Sequence, residues 1–246
     1  MRAIILAAGA GRRLAPMNWD LPKCLLPCPQ GTLLDNTIQS VIVRGVSEVA
    51  VVVGYQKEQV APVLDRYAVA ARLVVNEAYT TTNTIHSMWL ARDYLDGDCL
   101  LFNGDVWFEH AILDQLLPMA CSALAVDVKA CGEEEVKVVV DAGARIVRIG
   151  KDVPRTEALG ESIGIAKFNE ATARELAASL DHFNTVLGQT NLFFESALDP
   201  ILPRCVVAAV PLGGYRAVEI DTPDDYHRAK QIWSRVPLSP RERGQG

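Results

Sequence analysis

No Cys-x-x-Cys pair occurs in this 246-residue sequence, no apolar run reaches membrane-spanning length, and basic residues do not outnumber acidic ones. Each absence removes a class of function. The six cysteines (24, 28, 99, 121, 131 and 205) lack zinc-site spacing, and Cys24 and Cys28 have no histidine nearby to complete one. Several lie in strand-like runs such as Cys99-Leu100-Leu101-Phe102, so buried, reduced thiols in a cytoplasmic protein are expected. The N-terminal apolar run covers only residues 3–8 and enters a turn motif directly, so neither a signal peptide nor a membrane span is expected. A formal net charge of −6 argues against nucleic-acid or anionic-membrane partners, which call for a basic face. It leaves phosphate ligands open, because these are bound by local cations. The four histidines (86, 110, 182 and 227) are scattered, and no Ser-His-Asp or Cys-His set stands out.

What is present is ordinary globular composition, 50% apolar and 22% charged, enough for a sizeable core. No linker-like run interrupts the chain, so one domain over residues 1–236 is expected, with a disordered tail at 237–246. Apolar strands at 3–8, 48–53, 72–75 and 99–103 alternate with helices at 34–44, 58–67 and 84–95, the βαβ pattern of a parallel sheet. Segments 136–140 and 145–149 flank Asp141-Ala142-Gly143 and read as a hairpin. A strand at 164–168, a helix at 171–183, a helical turn or two at 193–201 and strands at 206–210 and 215–220 follow. Thr222 caps the last helix, with Pro223 at its first position and Asp224 and Asp225 in its first turn. The expected fold class is α/β, a single-domain, Rossmann-like, mixed and mostly parallel sheet flanked by helices.

The first strand breaks into Gly9-Ala10-Gly11-Arg12-Arg13-Leu14. A Gly-x-Gly turn after a parallel strand presents free backbone N–H groups to a phosphate chain. Arg12, Arg13 and, ten residues on, Lys23 add side-chain cations to that cradle. It is not a P-loop, since no Gly-Lys-Ser/Thr ends it, and Leu14 stands where a dinucleotide fingerprint has its third glycine. Two carboxylates end apolar strands near capped or turning segments: Asp105 in Asn103-Gly104-Asp105, and Asp221 in Val218-Glu219-Ile220-Asp221-Thr222. Mg²⁺ takes one or two carboxylates together with phosphate oxygens, and strand carboxyl ends are where open α/β sheets bind ligands. Asp105 and Asp221 are therefore the expected metal ligands, Glu219 stays open as a further one, and Asp224 and Asp225 are read as helix-terminus acids.

The whole string Leu-Ala-Ala-Gly-x-Gly-x-Arg-Leu-x-Pro, followed by Pro22-Lys23-x-Leu25, resembles the nucleotidyltransferases that activate sugars and alcohols with a nucleoside triphosphate, a nucleotide-diphospho-sugar transferase-like fold. The resemblance implies that the loop wraps the triphosphate, which assigns Leu6, Ala8, Gly9, Gly11 and Arg12 to the nucleotide and Arg13 and Lys23 to the reacting phosphates. It also implies Mg²⁺ between Asp105 and Asp221. No hexapeptide repeats follow, so a minimal catalytic domain is expected.

Residues 76–89 are dense in amides and hydroxyls, which suit the mixed donors and acceptors of a cytosine. The string Asn-x-x-Tyr-x-x-x-Asn-x-x-Ser-Met/Leu is similar to the branch that uses CTP, with Thr84 here where a second asparagine is common. That implies base reading by Thr82, Asn83 and Ser87. By the same resemblance Lys151 contacts the acceptor's phosphate, and the Phe193-Phe194-Glu195 string lines the acceptor pocket. A quaternary ammonium acceptor would draw on aromatic faces, for which Trp107, Phe193, Phe194 and Tyr215 are the candidates alongside Glu195.

The resulting expectation is a Mg²⁺-dependent cytidylyltransferase that joins CMP to phosphocholine, 2-aminoethylphosphonate, a hydroxyalkylphosphonate or a similar acceptor, releasing pyrophosphate. A sugar-1-phosphate nucleotidyltransferase using UTP, dTTP or GTP and a non-catalytic nucleotide-binding regulator are the alternatives, and a homodimer is left open.

Overall fold

Period-2 alternation along the first strand, β1 (Arg2–Ala7), sends Ile4 and Leu6 to one face and Ala3, Ile5 and Ala7 to the other. Both faces are covered, which is why the strand reads as an unbroken apolar run. The computed structural model describes residues 1–17 and 20–235, so the tail expected at 237–246 lies outside the described residues. A 3₁₀ segment (Arg12–Met17), another at Lys23–Leu25 and a short hairpin of β2 (Pro27–Cys28) and β3 (Gly31–Thr32) lead into α1 (Leu33–Ile42). Thr32 and Asp35 cap α1 reciprocally, a capping box that sets its start.

The strands β4 (Glu48–Val53), β5 (Ala70–Val75) and β6 (Cys99–Asn103) run parallel with β1. Between them lie α2 (Ala61–Leu64) and α3 (Thr84–Leu90). The helix expected at 58–67 is a 3₁₀ turn followed by α2 alone; Pro62, without an N–H, sits in its first turn and breaks the run. Likewise the helix expected at 84–95 ends at Leu90 and continues as a 3₁₀ turn, Arg92–Leu95.

Beyond β6 come β7 (Val106–Phe108), α4 (Ala111–Leu116), β8 (Ser122–Asp127), the hairpin of β9 (Lys137–Val140) and β10 (Ile146–Gly150), and β11 (Gly160–Phe168). Then follow α5 (Glu170–Asp181), α6 (Glu195–Leu198), β12 (Val207–Pro211), β13 (Ala217–Glu219) and α7 (Pro223–Trp233). The main sheet has the order β10-β9-β11-β6-β1-β4-β5, with β8 on β11 and β12 on β8. β11 runs antiparallel to β6, β8 and β9, so the sheet is mixed. This strand is nine residues long rather than the expected five, because Gly164 (φ +70°) carries a bulge between Ser162 and Ala166 that breaks the apolar pattern.

One core packs α3 and α5 against the face of Ile4 and Leu6, and a second packs α1, α2 and α4 against the face of Ala3, Ile5 and Ala7. The six cysteines are free thiols, four of them buried. Among the described residues no helix is long and apolar enough to cross a membrane.

Candidate functional site

At the carboxyl edge of β1 and β6 the chain leaves a cleft of about 790 Å³. Leu6, Ala8, Gly9, Gly11, Arg12 and Arg13 line one side of it. Gly11 holds a left-handed conformation (φ +59°), and a Cβ there would lie 2.6 Å from Cγ of Lys23. The glycine thus lets the loop close over the lysine stem.

The Lys23 ammonium is hydrogen-bonded to both expected metal ligands, 2.6 Å from Asp105 Oδ2 and in a short contact with Asp221 Oδ1. Arg13 reaches Asp221 Oδ2 at 2.6 Å. Two pieces of backbone pairing assemble this group. β13 pairs with β7 so that Glu219 opposes Val106, and the Ile220 N–H donates to the Asp105 carbonyl at 3.0 Å. Asp225, read as a helix-terminus acid, accepts from the Thr222 N–H and hydroxyl in a capping box, which leaves the Asp221 carboxylate to the cleft. Burial alone would lower the Lys23 pKa, but the charges of Asp105 and Asp221 outweigh it and raise it. Burial raises the Asp221 pKa in turn, and Lys23 and Arg13 more than reverse that, so it lies below its ordinary value.

Glu219, left open by sequence, joins the group. Carboxylate oxygens of Asp105, Glu219 and Asp221 all lie within 4.8 Å of one another. The Glu219 side chain keeps solvent contact, yet the protein packed around its carboxyl and the adjacent charges of Asp105 and Asp221 push it up to about 8. Three hard oxygen donors within 4.8 Å of one another, two of them already on a cation, are a donor set that fits Mg²⁺.

Along the same cleft, Asn76 is fully buried and organises the expected base-reading residues. Its Nδ2 donates to Thr82 Oγ1 at 3.0 Å and to Ser87 Oγ at 3.1 Å, while its Oδ1 accepts from the Ala78 N–H. Asn83 caps α3 through the Thr84 N–H, and all three expected base-reading residues line the cleft. Asn76 and Tyr79, also cleft residues, were visible as part of the polar run but not as its centre.

The family model described as "Nucleotidyl transferase" matches residues 2–136, more than half of the chain, and spans the loop, Lys23, the Asn76 network and Asp105. The chain belongs to the nucleotidyl transferase family. This nucleotidyltransferase is similar to the 2-aminoethylphosphonate cytidylyltransferase of Lancefieldella rimae, 28% identical over 89% of this chain and 88% of that protein. It is also similar to the choline-phosphate cytidylyltransferase of Streptococcus pneumoniae, 26% identical over 94% of this chain and 98% of that one. The solved CTP:phosphocholine cytidylyltransferase from Streptococcus pneumoniae shares its fold, with a TM-score of 0.78, 24% identity and coverage of 94% and 98% of the two chains.

The far end of the nucleotidyltransferase cleft corrects three sequence expectations. Phe194 is 1% exposed and packs in the core under α5; its neighbour Phe193 lines the cleft instead. Trp107, also 1% exposed, packs against Trp233 and donates its indole N–H to Gln30. Tyr215 lies in the turn before β13 and does not line the cleft. In each case the face a residue presents at a strand end or turn was set by tertiary packing. Lys151 and Glu195 do line the cleft, with the Lys151 ammonium 4.2 Å from the centre of the Phe193 ring and 3.4 Å from Glu134. Asp127, Lys129, Glu135, Glu161 and Ser162 complete this end. Sequence reasoning missed them; the Glu133-Glu134-Glu135 run was the only local signal.

Glu195 is 3% exposed, and burial pushes its carboxyl up to about 7, with its own N–H and Lys151 opposing only in part. The unfolded chain releases this proton near 4.5, so between about pH 4.5 and 7 the folded state alone holds it and stability falls as pH rises. Glu195→Gln cannot ionise. It is expected to exceed the parent in stability at pH 8 by about 1–3 kcal/mol and to match it near pH 4. Melting curves of both proteins across this range check it; parallel curves would contradict the assignment.

Proposed function

We propose that this nucleotidyltransferase moves CMP from CTP onto a small phosphorylated alcohol or phosphonate, releasing pyrophosphate. The observation that carries this reading is the Arg13–Asp221–Lys23–Asp105 constellation at one end of a cleft whose wall is the Asn76–Thr82–Ser87 amide and hydroxyl network. The full-length similarity to cytidylyltransferases supports the choice of CTP.

The acceptor's phosphate or phosphonate has a second pKa of about 6, so it is mostly dianionic at neutral pH and attacks the α-phosphorus without a general base. What the chain must supply is alignment of two anions and neutralisation of developing charge. Arg13 and Lys23 bind the α-phosphate and the departing pyrophosphate, which requires the lysine to exchange a carboxylate partner for phosphate oxygens. The backbone N–H groups of residues 9–11 hold the triphosphate in place. Thr82, Asn83 and Ser87 read the base, their hydroxyl and amide orientations set by Asn76. Asp105, Asp221 and Glu219 would hold Mg²⁺, which when bound would supply positive charge against that of the two anionic substrates.

Pyrophosphate release with Mg²⁺ over a grid of CTP, UTP, dTTP, GTP and ATP against phosphocholine, aminoalkyl- and hydroxyalkylphosphonates and glucose 1-phosphate tests the reading. Turnover is expected with CTP and one phosphorylated alcohol or phosphonate. Turnover only with a sugar phosphate and another triphosphate would withdraw both the substrate and the base-reading roles.

A further inference from the structure

The end of the cleft away from the Gly9–Gly11 loop is crowded with negative charge. Asp127, Glu134, Glu135, Glu161 and Glu195 line it against two ammoniums, Lys129 and Lys151. Lys129 is already shared among three of the acids: its Nζ lies 2.7 Å from Glu161, 3.5 Å from Glu135 and 3.6 Å from Asp127. Lys151 faces Glu134 and the Phe193 ring. The surplus is therefore carboxylate.

Among the described residues, two buried acceptors in this wall have no partner. Glu195 Oε2 and Ser162 Oγ are buried without a hydrogen bond, in residues only 3% and 7% exposed that both border the cleft. A buried polar atom left unsatisfied costs about 1–3 kcal/mol, so a pair of them in side chains that line one cavity marks a place built for a donor.

The wall is also preorganised. Lys137 is 1% exposed, and its ammonium donates to the backbone carbonyls of Gly132, Glu133 and Glu135, pinning the segment that carries Glu134 and Glu135. The bulge at Gly164 lies just beyond Ser162 in the strand that carries Glu161 and Ser162.

Aromatic surface is scarce. Phe193 is the ring at this end, and the Lys151 ammonium covers it. A quaternary ammonium needs several free aromatic faces. A primary ammonium needs hydrogen-bond acceptors and has three N–H donors to give them.

Resting on the cytidylyltransferase reading above, we infer that the acceptor is a zwitterion, a phosphate or phosphonate whose other end is a primary ammonium. That ammonium binds Glu195 Oε2 and Ser162 Oγ within the Asp127–Glu135–Glu161 field. The surplus carboxylate neutralises the amine, while Lys151 stays over the Phe193 ring. The arrangement also disfavours acceptors with a neutral far end, whose single O–H supplies fewer donors than the two buried oxygens call for.

The test compares acceptors that differ only at the far end: 2-aminoethylphosphonate, its N,N,N-trimethyl analogue and 2-hydroxyethylphosphonate, each with CTP. Wild-type kcat/KM is expected to favour the primary amine by roughly 10- to 100-fold, the value of one or two charge-assisted hydrogen bonds. Glu195→Gln, whose fold is not in jeopardy by the stability argument above, is expected to collapse that preference to within a few-fold while KM for CTP stays unchanged. Equal use of the hydroxyl analogue, preference for the trimethyl analogue, or an undiminished preference in Glu195→Gln would each overturn the inference with CTP-dependent turnover intact. Absence of CTP-dependent turnover with every acceptor, alongside turnover of a sugar phosphate, would instead bring down the cytidylyltransferase reading, and this inference with it.

Discussion

Asp221→Asn is expected to lower pyrophosphate release by roughly 10³-fold or more, with a melting temperature within about 5 °C of the parent. The contrast between the two readouts is the point. Asp221 accepts from Lys23 on one oxygen and from Arg13 on the other, and an asparagine keeps one of these two acceptors, so half of the local hydrogen bonding survives. Lys23 also retains Asp105 at 2.6 Å. What is lost is the charge of one of three carboxyl groups gathered within 4.8 Å, the donor set proposed to hold a divalent cation. Asp105→Asn should behave alike, since its carboxylate forms the opposite side of the same group. Near-parental turnover in either variant would remove the metal assignment. A collapse of melting temperature would mean that the carboxylates serve the fold instead.

Lys23→Met should show the reverse dependence on added metal. The lysine side chain is 12% exposed and lies between Asp105 and Asp221, each about a quarter exposed. Removing its charge leaves Asp105 and Glu219 beside Asp221, which keeps Arg13 on its other oxygen while Asp105 loses its ammonium partner. Stripping one partner from a largely buried ion pair costs about 3–5 kcal/mol, and the residual solvent contact of these acids places the expected loss toward about 2–3 kcal/mol. Because a cation that binds only the folded state stabilises it by mass action, millimolar Mg²⁺ should recover much of that loss in melting temperature. The parent should gain less, since Lys23 already supplies the charge. Activity should fall by about 10²–10³-fold even with Mg²⁺ present, as the α-phosphate loses a fixed cation. Loss of stability that Mg²⁺ leaves untouched would show that the three acids do not form a cation site.

Local chemistry made much of this molecule legible. The runs that became β1, β4 and β6 stood out because strands covered on both faces need no polar residues. The start of α7 was readable because Thr222, Pro223 and Asp225 satisfy the helix's first N–H groups within a few residues of sequence. The loop glycines and the cations beside them were also contiguous, and Asp105 and Asp221 could be singled out because each ends an apolar strand.

Elsewhere local signals were overridden. Pro62 truncated a helix that periodicity favoured, and Gly164 bent a strand so that its Glu161-Ser162 end no longer looked like one. Side-chain direction at strand ends was the least readable feature: Phe194 entered the core while Phe193 and Glu195 on either side of it faced the cleft.

By itself, then, the sequence determined the parallel strands β1, β4 and β6, the glycine-rich loop, the capped last helix and the identity of two strand-end aspartates. These depend on covalent neighbours and on burial patterns that repeat every two or nearly four residues. Only the tertiary structure decided that Lys23 lies between those aspartates, that Glu219 joins them, and that Asp127, Glu135, Glu161 and Glu195 form one wall. Electrostatic interaction depends on distance in space, and the β13–β7 pairing and the bulge in β11 set those distances between residues far apart in the chain.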